Sequence, residues 1–235
     1  MIAVILNSGM GTRMGACASS RPKCLIEIAP DATILSHQLD LLLETGIEHF
    51  VITTGYLEEM IREYVGQRYS GVDIRFVYNP EFRETNYITS LHRAQEQTQD
   101  DILLLHGDLV FSNEVLHQIM AAEGNGVVID STIPLSHKDF KARVTNHNRV
   151  IEIGTGIWEA DCCACQPLYK LEKRSWSMWQ RAIDDFCVRG LTWVYAENAL
   201  NGICGNIDLY GLDIKGKLCM EIDDEQDWEL LRNRL

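Results

Sequence analysis

The chain has 235 residues, of which 46% are hydrophobic and 23% are charged, and its formal net charge at pH 7 is -13. A chain of this length can bury a full hydrophobic core. The acidic balance argues against nucleic acid or an anionic membrane as a partner, because such binding depends on Lys and Arg that neutralise phosphates. No apolar run approaches the roughly 18 residues of a membrane span. We therefore expect a cytoplasmic protein with no membrane insertion.

Strand and helix patterns alternate through the first half of the chain. Short apolar runs predict strands at 3–7, 49–54, 73–78, 102–105 and 126–129. Apolar residues at helical spacing predict helices at 34–44, 56–69, 85–97 and 113–122. Repetition of this kind predicts an α/β fold with three layers and a mostly parallel sheet.

The second half of the chain has a different pattern. It predicts a hairpin of strands at 141–145 and 150–153, further strands at 158–167 and 191–197, and helices at 176–186 and 225–235. With no linker rich in Pro, Gly or Ser, we expect one domain over 1–235. Its nucleotide-binding half covers about 1–130, an inserted acceptor-binding half about 131–220, and the metal ligands and last helix 221–235.

A turn rich in glycine follows the first predicted strand directly. A buried strand that stops at such a turn leaves backbone N–H groups pointing one way, and this makes an anion site. Glycine lets the backbone approach a phosphate closely, and Arg13 and Lys23 add cations that suit phosphate oxygens. The turn lacks the Gly-Lys-Ser/Thr of a Walker loop and the spacing of a dinucleotide fingerprint. It therefore predicts a triphosphate site, whose residues are Asn7, Ser8, Gly9, Met10, Gly11, Thr12, Arg13 and Lys23.

Acidic residues in two distant places are candidate metal ligands. Asp108 follows the strand predicted at 102–105, where ligands of open α/β sheets bind, and Gly107 keeps the backbone close. Glu221 and Asp223 share one face if the segment is extended. Hard carboxylate oxygens suit Mg²⁺. The alternatives are an aspartate that caps a turn and a solvated acidic turn before the last helix.

The eight cysteines predict reduced thiols, because we see no export signal. Cys162, Cys163 and Cys165 form a cluster that raises the question of a zinc site. Zinc sites usually carry Cys-x-x-Cys pairs, and none recurs downstream. We interpret the cluster as part of a buried strand.

Two motifs of the chain resemble a known family. Gly9-x-Gly11-Thr12-Arg13 followed by Pro22-Lys23-x-Leu25 resembles the signature of nucleotidyltransferases that activate sugar phosphates and choline phosphate. The segments 79–91, 103–111 and 221–223 are similar to stretches of the cytidylyltransferases that act on choline phosphate and related phosphonates. The similarity extends over nearly the whole chain in matching order.

The resemblance implies a Rossmann-like nucleotidyltransferase fold with a mixed sheet, CTP as donor, Mg²⁺ as cofactor and a small phosphorylated or phosphonate acceptor. Carried over by position, Asp108 and Asp223 would be metal ligands, with Glu221 assisting. Arg13 would act on the β/γ end of the triphosphate and Lys23 near the α-phosphate. Asn86 and Ser90 would lie near the nucleotide or acceptor, unless they are a helix cap and an exposed helix position.

The sequence does not identify the acceptor substrate. Family members usually begin the turn with Ala-Ala-Gly, whereas this chain has Asn7-Ser8-Gly9. A quaternary ammonium needs an aromatic cage, for which Trp158 and Trp193 are candidates, together with Tyr169 and Tyr195. Basic residues at 138–143 suit a more anionic acceptor, so phosphocholine, aminoethylphosphonate, another phosphonate and phosphoglutamine all remain.

Two rival functions also remain. One is a sugar-1-phosphate nucleotidyltransferase, which uses the same chemistry with a different pocket. The other is a non-catalytic nucleotide-binding regulatory protein. We expect either a monomer or a homodimer.

Overall fold

A computed structural model describes residues 1–12 and 20–234 of the chain. The strands are β1 (Ile2–Asn7), β2 (Glu27–Ala29), β3 (Ala32–Thr33), β4 (His49–Thr54), β5 (Asp73–Tyr78), β6 (Ile102–His106), β7 (Leu109–Phe111), β8 (Asn125–Asp130), β9 (Lys141–Val144), β10 (Val150–Gly154), β11 (Cys162–Leu171), β12 (Leu209–Asp213) and β13 (Cys219–Glu221). The helices are α1 (Ile34–Glu44), α2 (Glu58–Arg68), α3 (Tyr87–Arg93), α4 (Asn113–Ala121), α5 (Lys173–Val188), α6 (Ala196–Asn201) and α7 (Glu225–Arg232).

Nine strands form one mixed sheet in the order β10-β9-β11-β6-β1-β4-β5, with β8 paired to both β11 and β12. The neighbours β6, β1, β4 and β5 are parallel. Every strand of this sheet except β10 and β11 runs in the same direction. The predicted α/β fold with a mostly parallel mixed sheet is therefore confirmed.

Helices cover both faces of the sheet and bury its alternating side chains. Along β1, Ala3 and Ile5 pack with α1, α2 and α4, while Val4 and Leu6 face the cluster that contains α3, α5 and α6. This alternation follows from the period of two along a strand, and it produces the predicted three layers. Trp176 and Trp179 of α5 are the largest fully buried side chains of the second face.

Strand β11 joins the two predicted halves of the chain. Its first residues pair with β9, its middle with β8 and its end with β6, all antiparallel. The pairing with β8 shifts between Gln166 and Tyr169, around Pro167, which has no N–H to give to a ladder. Strands from both halves therefore share a single sheet.

The structure differs from several of the sequence expectations. The strand predicted at 158–167 begins later and runs further, as β11 over Cys162–Leu171. The strand predicted at 191–197 is wrong, because this segment makes a turn and then begins α6. In place of a strand ladder, Leu191 donates its N–H to the carbonyl of Phe186, and the carbonyl of Thr192 accepts from Asn86. Strand β12, which closes the sheet beside β8, was not predicted, and neither were the short strands β2, β3, β7 and β13. No described helix combines the length and the apolarity that a membrane span requires.

Candidate active site

Two adjoining cavities open at the carboxyl edge of the parallel strands. The first, which we call the loop cavity, has a volume of about 230 Å³ and the second, the aromatic cavity, about 350 Å³. The loop cavity is lined by Leu6, Asn7, Gly9, Gly11, Thr12, Pro22, Lys23, Cys24, Gly107, Asp108 and Asp223. The aromatic cavity shares Leu6, Gly9, Asp108 and Asp223 and adds Ser8, Asn79, Phe82, Thr85, Asn86, Tyr87, Ser90, His106, Lys138, Phe140, Tyr195 and Glu221.

The Lys23 ammonium lies between two carboxylates where the cavities meet. Its Nζ is 2.6 Å from Oδ2 of Asp108 and 2.7 Å from Oδ1 of Asp223, although 200 positions separate Lys23 from Asp223. The three side chains are only 12%, 23% and 7% exposed. Asp108 follows β6 and Asp223 follows β13, and Lys23 begins a single 3₁₀ turn after Pro22. The fold therefore brings the predicted metal ligands to one cation.

Electrostatics keep Lys23 and Asp108 charged. Burial by itself would lower the pKa of Lys23, but Asp108 and Asp223 outweigh it and raise the pKa. Burial by itself would raise the pKa of Asp108, but Lys23 and His106 hold it below its usual value. Two carboxylates this close repel each other unless a cation lies between them, so the site requires one.

The residues fit a divalent metal. A single positive group, the Lys23 ammonium, already contacts oxygens of both Asp108 and Asp223. Carboxylate oxygens are the hard donors that Mg²⁺ prefers. Nitrogen and oxygen atoms of His106, Asp108 and Glu221 also lie within 4.8 Å of one another.

Glu221 pairs with His106, a residue that the sequence patterns did not indicate. Nδ1 of His106 lies 2.8 Å from Oε1 of Glu221, and both side chains are nearly buried. Burial raises the pKa of Glu221 to about 7, with Asp108 adding to the rise. Burial opposes protonation of His106, but Glu221 raises the pKa of that imidazole to about 9. Glu221 therefore belongs to an ion pair at the wall of the aromatic cavity.

Aromatic side chains form one wall of the second cavity. The ring of Tyr87 contacts His106 edge-on at 4.8 Å between centroids, and Tyr195 packs on Phe140 at 5.0 Å. Behind this wall, the buried Glu197 accepts hydrogen bonds from the hydroxyls of Tyr87 and Tyr169. The cavity thus combines aromatic faces with nearby carboxylates.

The segment 131–140 delivers Lys138 and Phe140 to the aromatic cavity. The ammonium of Lys138 contacts carboxylates of Asp224 and Asp227 at the start of α7. The buried Lys141 donates to the carbonyls of Ser136 and Asp139 at 2.6 and 3.0 Å. These bonds fix the path of the segment.

The two predicted cage tryptophans lie elsewhere. Trp158 stacks on His137 at 4.4 Å between centroids and covers the ammonium of Lys141 at 4.3 Å. Trp193 is 68% exposed. Neither is among the described residues that line the aromatic cavity, where Tyr87, Phe140 and Tyr195 supply the rings. Apart from being aromatic, Tyr87 and Phe140 have no feature in the sequence that predicts a place at the cavity wall.

The described part of the glycine-rich turn, up to Thr12, follows β1 and lines the loop cavity. Gly11 has a φ of +62°, which favours glycine, and a Cβ added there would lie 3.0 Å from Cβ of Lys23. Met10 accepts a weak contact from Arg83 through its sulfur. The predicted catalytic residue Arg13 lies outside the described residues.

Asn86 and Ser90 combine a structural role with a place at the cavity. Asn86 caps α3 and accepts from the N–H of Tyr87, as one alternative had it, and it also lines the aromatic cavity. Ser90 is fully buried rather than exposed. Its hydroxyl joins those of Ser8 and Thr53 and the amide of Asn79 in one hydrogen-bonded network.

Comparison with known proteins gives consistent matches. Residues 3–150 match the family described as MobA-like NTP transferase domains. A CMP-5'-(3-aminopropyl)phosphonate synthase from Streptomyces rubellomurinus is 40% identical over 120 residues, which are 51% of this chain and 19% of that protein. A choline-phosphate cytidylyltransferase from Streptococcus pneumoniae is 22% identical over 244 residues, which cover 99% of both chains.

The solved structures agree on the fold. The CTP:phosphocholine cytidylyltransferase from Streptococcus pneumoniae superposes with a TM-score of 0.81 at 20% identity, covering 99% of this chain and 98% of that one. The alignment with the Streptomyces protein spans only about a fifth of its length. The resemblance to nucleotidyltransferases is thus confirmed. Because the family match extends over more than half of the sequence and the fold agrees, the chain belongs to the MobA-like NTP transferase family.

Proposed function

We propose that this protein is a cytidylyltransferase that moves CMP from CTP to a small phosphorylated or phosphonate acceptor and releases pyrophosphate. The observation that supports this most is the Lys23 ammonium held by Asp108 and Asp223 in the loop cavity. One site there offers carboxylates for a metal and a lysine for phosphate. The two relatives described above are named for transfers of this type.

The proposed reaction is in-line attack of an acceptor oxygen on the α-phosphorus. An anionic phosphate or phosphonate oxygen needs no general base, so the protein's part is positioning and charge neutralisation. The backbone of the glycine-rich turn would bind the triphosphate, with Arg13 at its β/γ end and Lys23 near the α-phosphate. Asp108 and Asp223 would hold Mg²⁺, and the ion would neutralise charge on the phosphate oxygens.

The aromatic cavity suits an acceptor that carries an amine. Rings of Tyr87, Phe140 and Tyr195 beside the carboxylates of Glu221 and Asp223 favour a positive group. A phosphocholine, aminoalkylphosphonate or phosphoglutamine acceptor carries such a group together with the attacking oxygen.

A CTP-dependent reaction takes place where nucleoside triphosphates are made, so we place it in the cytoplasm. The seven cysteines in the described part of the chain are all free thiols, which agrees with a reducing compartment. A monomer or a homodimer could carry out this reaction.

The test is a matrix of nucleotides and acceptors. The protein would be incubated with Mg²⁺ and each of the four nucleoside triphosphates, combined with phosphocholine, 2-aminoethylphosphonate, 3-aminopropylphosphonate and glucose 1-phosphate. We expect pyrophosphate release with CTP and an amine-bearing acceptor, and a product heavier than the acceptor by a cytidylyl group. Release with glucose 1-phosphate alone would favour the sugar-nucleotide reaction, and CTP binding without release would favour a regulatory protein.

A further inference from the structure

One buried nitrogen in the loop cavity has no hydrogen-bond partner. The side chain of Asn7 is 8% exposed, and its Nδ2 is the one orphaned side-chain nitrogen among the buried atoms of the described residues. An unpaired buried donor costs about 1–3 kcal/mol. The fold nevertheless keeps this group at the wall of the loop cavity, beside Gly107, Asp108 and Lys23.

The position of the Asn7 carboxamide is built into the fold. A Cβ added to Gly107 would lie 1.7 Å from Oδ1 of Asn7, so the amide packs directly on the α-carbon of this glycine. The backbone N–H of Asn7 approaches the hydroxyl of Thr53 at 3.3 Å, which ties the end of β1 to β4. The side chain is therefore held at the carboxyl end of β1, where the proposed triphosphate site begins.

We propose that Asn7 donates a hydrogen bond from its carboxamide to a phosphate oxygen of the bound nucleotide. The phosphate oxygen supplies the hydrogen-bond acceptor that the protein does not provide for this N–H group. Phosphate matches the cavity, because Lys23 and the glycine-rich turn line it as well. The inference rests on the proposed function only in taking the loop cavity as the triphosphate site.

The experiment measures binding without turnover. Asn7→Ala and the unchanged protein would be titrated calorimetrically with CTP, inorganic tripolyphosphate and cytidine, each with Mg²⁺ and without acceptor. We expect Asn7→Ala to weaken CTP and tripolyphosphate about 10- to 100-fold, the range for a hydrogen bond to a charged group, and to leave cytidine unchanged. Equal tripolyphosphate binding by the two proteins, or weakening confined to cytidine, would overturn the assignment.

Thermal unfolding separates ligand binding from a structural role. Removing an unpaired donor relieves a cost, so ligand-free Asn7→Ala should melt at or above the temperature of the unchanged protein. A lower melting temperature together with weaker binding would mean that Asn7 supports the fold instead, and would contradict the proposal. Thr89→Val is the matched control, because it removes an orphaned buried hydroxyl that lines neither cavity, and it should leave all three affinities unchanged.

The outcomes also separate this proposal from the proposed function. If Asn7→Ala binds tripolyphosphate more weakly but the protein transfers no CMP, the phosphate contact of Asn7 is supported and the proposed function is rejected. If the variant binds tripolyphosphate as the unchanged protein does, and the protein transfers CMP, the role of Asn7 is rejected and the proposed cytidylyltransferase activity is kept.

Discussion

At the scale of single residues, the ammonium of Lys23 is expected at two different places, one in the present structure and one during the reaction. In the structure its ammonium contacts Asp108 and Asp223, yet the proposed reaction needs it near the α-phosphate. A metal held by the same carboxylates would replace the ammonium as their counter-ion and release it toward the nucleotide. Lys23 and the metal are therefore expected to compete for one pair of carboxylates.

Lys23→Met tests this competition. Without the ammonium, Asp108 and Asp223 repel each other, so we expect nucleotide-free protein to bind Mn²⁺ at least about tenfold more tightly. Transfer should fall about 100-fold or more, because the cation at the phosphate is lost. Electron paramagnetic resonance of free Mn²⁺ measures the first effect. An unchanged Mn²⁺ affinity would argue against the competition.

Asp108→Asn tests the metal site itself. The amide keeps the shape of the side chain but loses the charge that binds a divalent ion, so transfer should fall by orders of magnitude. Pyrophosphate release measures the rate, and circular dichroism checks that the variant is folded. Asp185→Asn, at an exposed position of α5, is the control and should behave like the unchanged protein. Near-normal turnover by Asp108→Asn would remove Asp108 from the metal site.

The sequence predicted these polar residues better than the aromatic ones. Asp108, Asp223 and the glycines stand at strand ends and turns, where local sequence dictates both position and chemistry. The contact of Glu221 with His106 joins residues 115 positions apart and leaves no local pattern. For the same reason, the cage candidates Trp158, Trp193 and Tyr169 are not among the described residues that line the cavity. The candidate Tyr195 does line it, together with Tyr87 and Phe140, which were not proposed.

At the scale of elements, a histidine–glutamate pair connects β6 to β13. The unfolded-state pKa of histidine is about 6.5 and that of glutamate about 4.3, and both are raised in the folded protein, to about 9 for His106 and about 7 for Glu221. The folded state therefore binds more protons than the unfolded state. The stability from His106 is complete below about pH 6.5 and is lost as the pH rises through about 9.

The double variant His106→Gln/Glu221→Gln should flatten this pH dependence. Both groups have to be replaced, because His106 holds the pKa of Glu221 down and the carboxyl alone would titrate at a higher pH. We expect metal-free protein to lose on the order of 2 kcal/mol of unfolding free energy between pH 6 and pH 9.5, and the variant to lose much less. Urea denaturation at a series of pH values provides the measurement. His49→Gln removes an exposed pair with Asp73 and should follow the unchanged protein. A double-variant curve parallel to that of the unchanged protein would show that His106 and Glu221 do not carry the effect.

The segment 131–140 depends on Lys141 for its path to the cavity. Lys141→Met breaks the bonds to the carbonyls of Ser136 and Asp139, which frees the segment that carries Lys138 and Phe140. We expect the KM for the acceptor to rise about tenfold, with CTP affinity unchanged. Steady-state kinetics and calorimetry separate the two, and Lys173→Met, at the start of α5, serves as control. An equal loss of CTP affinity would contradict a role confined to the acceptor.

Elements with a regular pattern were predictable, and those governed by packing were not. The helices and strands predicted in the first half follow clear periodicity, and their bounds agree with the structure to within a few residues, whereas the short strands β2, β3 and β7 were not predicted. The segment 191–197 is rich in residues that favour strands, yet Tyr195 packs on Phe140 at the cavity instead of entering the sheet. Strand β12 contains Gly211 and Asp213, which weaken a strand signal.

At the scale of the whole molecule, the site lies where the two predicted halves meet. The first half supplies the glycine-rich turn, Lys23 and Asp108, the second supplies Lys138 and Phe140, and the C-terminal segment supplies Asp223. The chain carries a formal net charge of -13, so cations at the site act against an acidic background. Binding of a small triphosphate requires only this local positive charge and a metal, whereas a long polyanion would meet repulsion elsewhere.

We propose that Asp108 and Asp223 hold one metal ion on which CTP is positioned, and a crystal structure with CTP and Mg²⁺ would show whether they do. We predict one Mg²⁺ at about 2.1 Å from an oxygen of each carboxylate, with the Lys23 ammonium moved from the carboxylates to a phosphate. Nucleotide bound while Lys23 still bridges Asp108 and Asp223, with the metal elsewhere, would contradict this proposal.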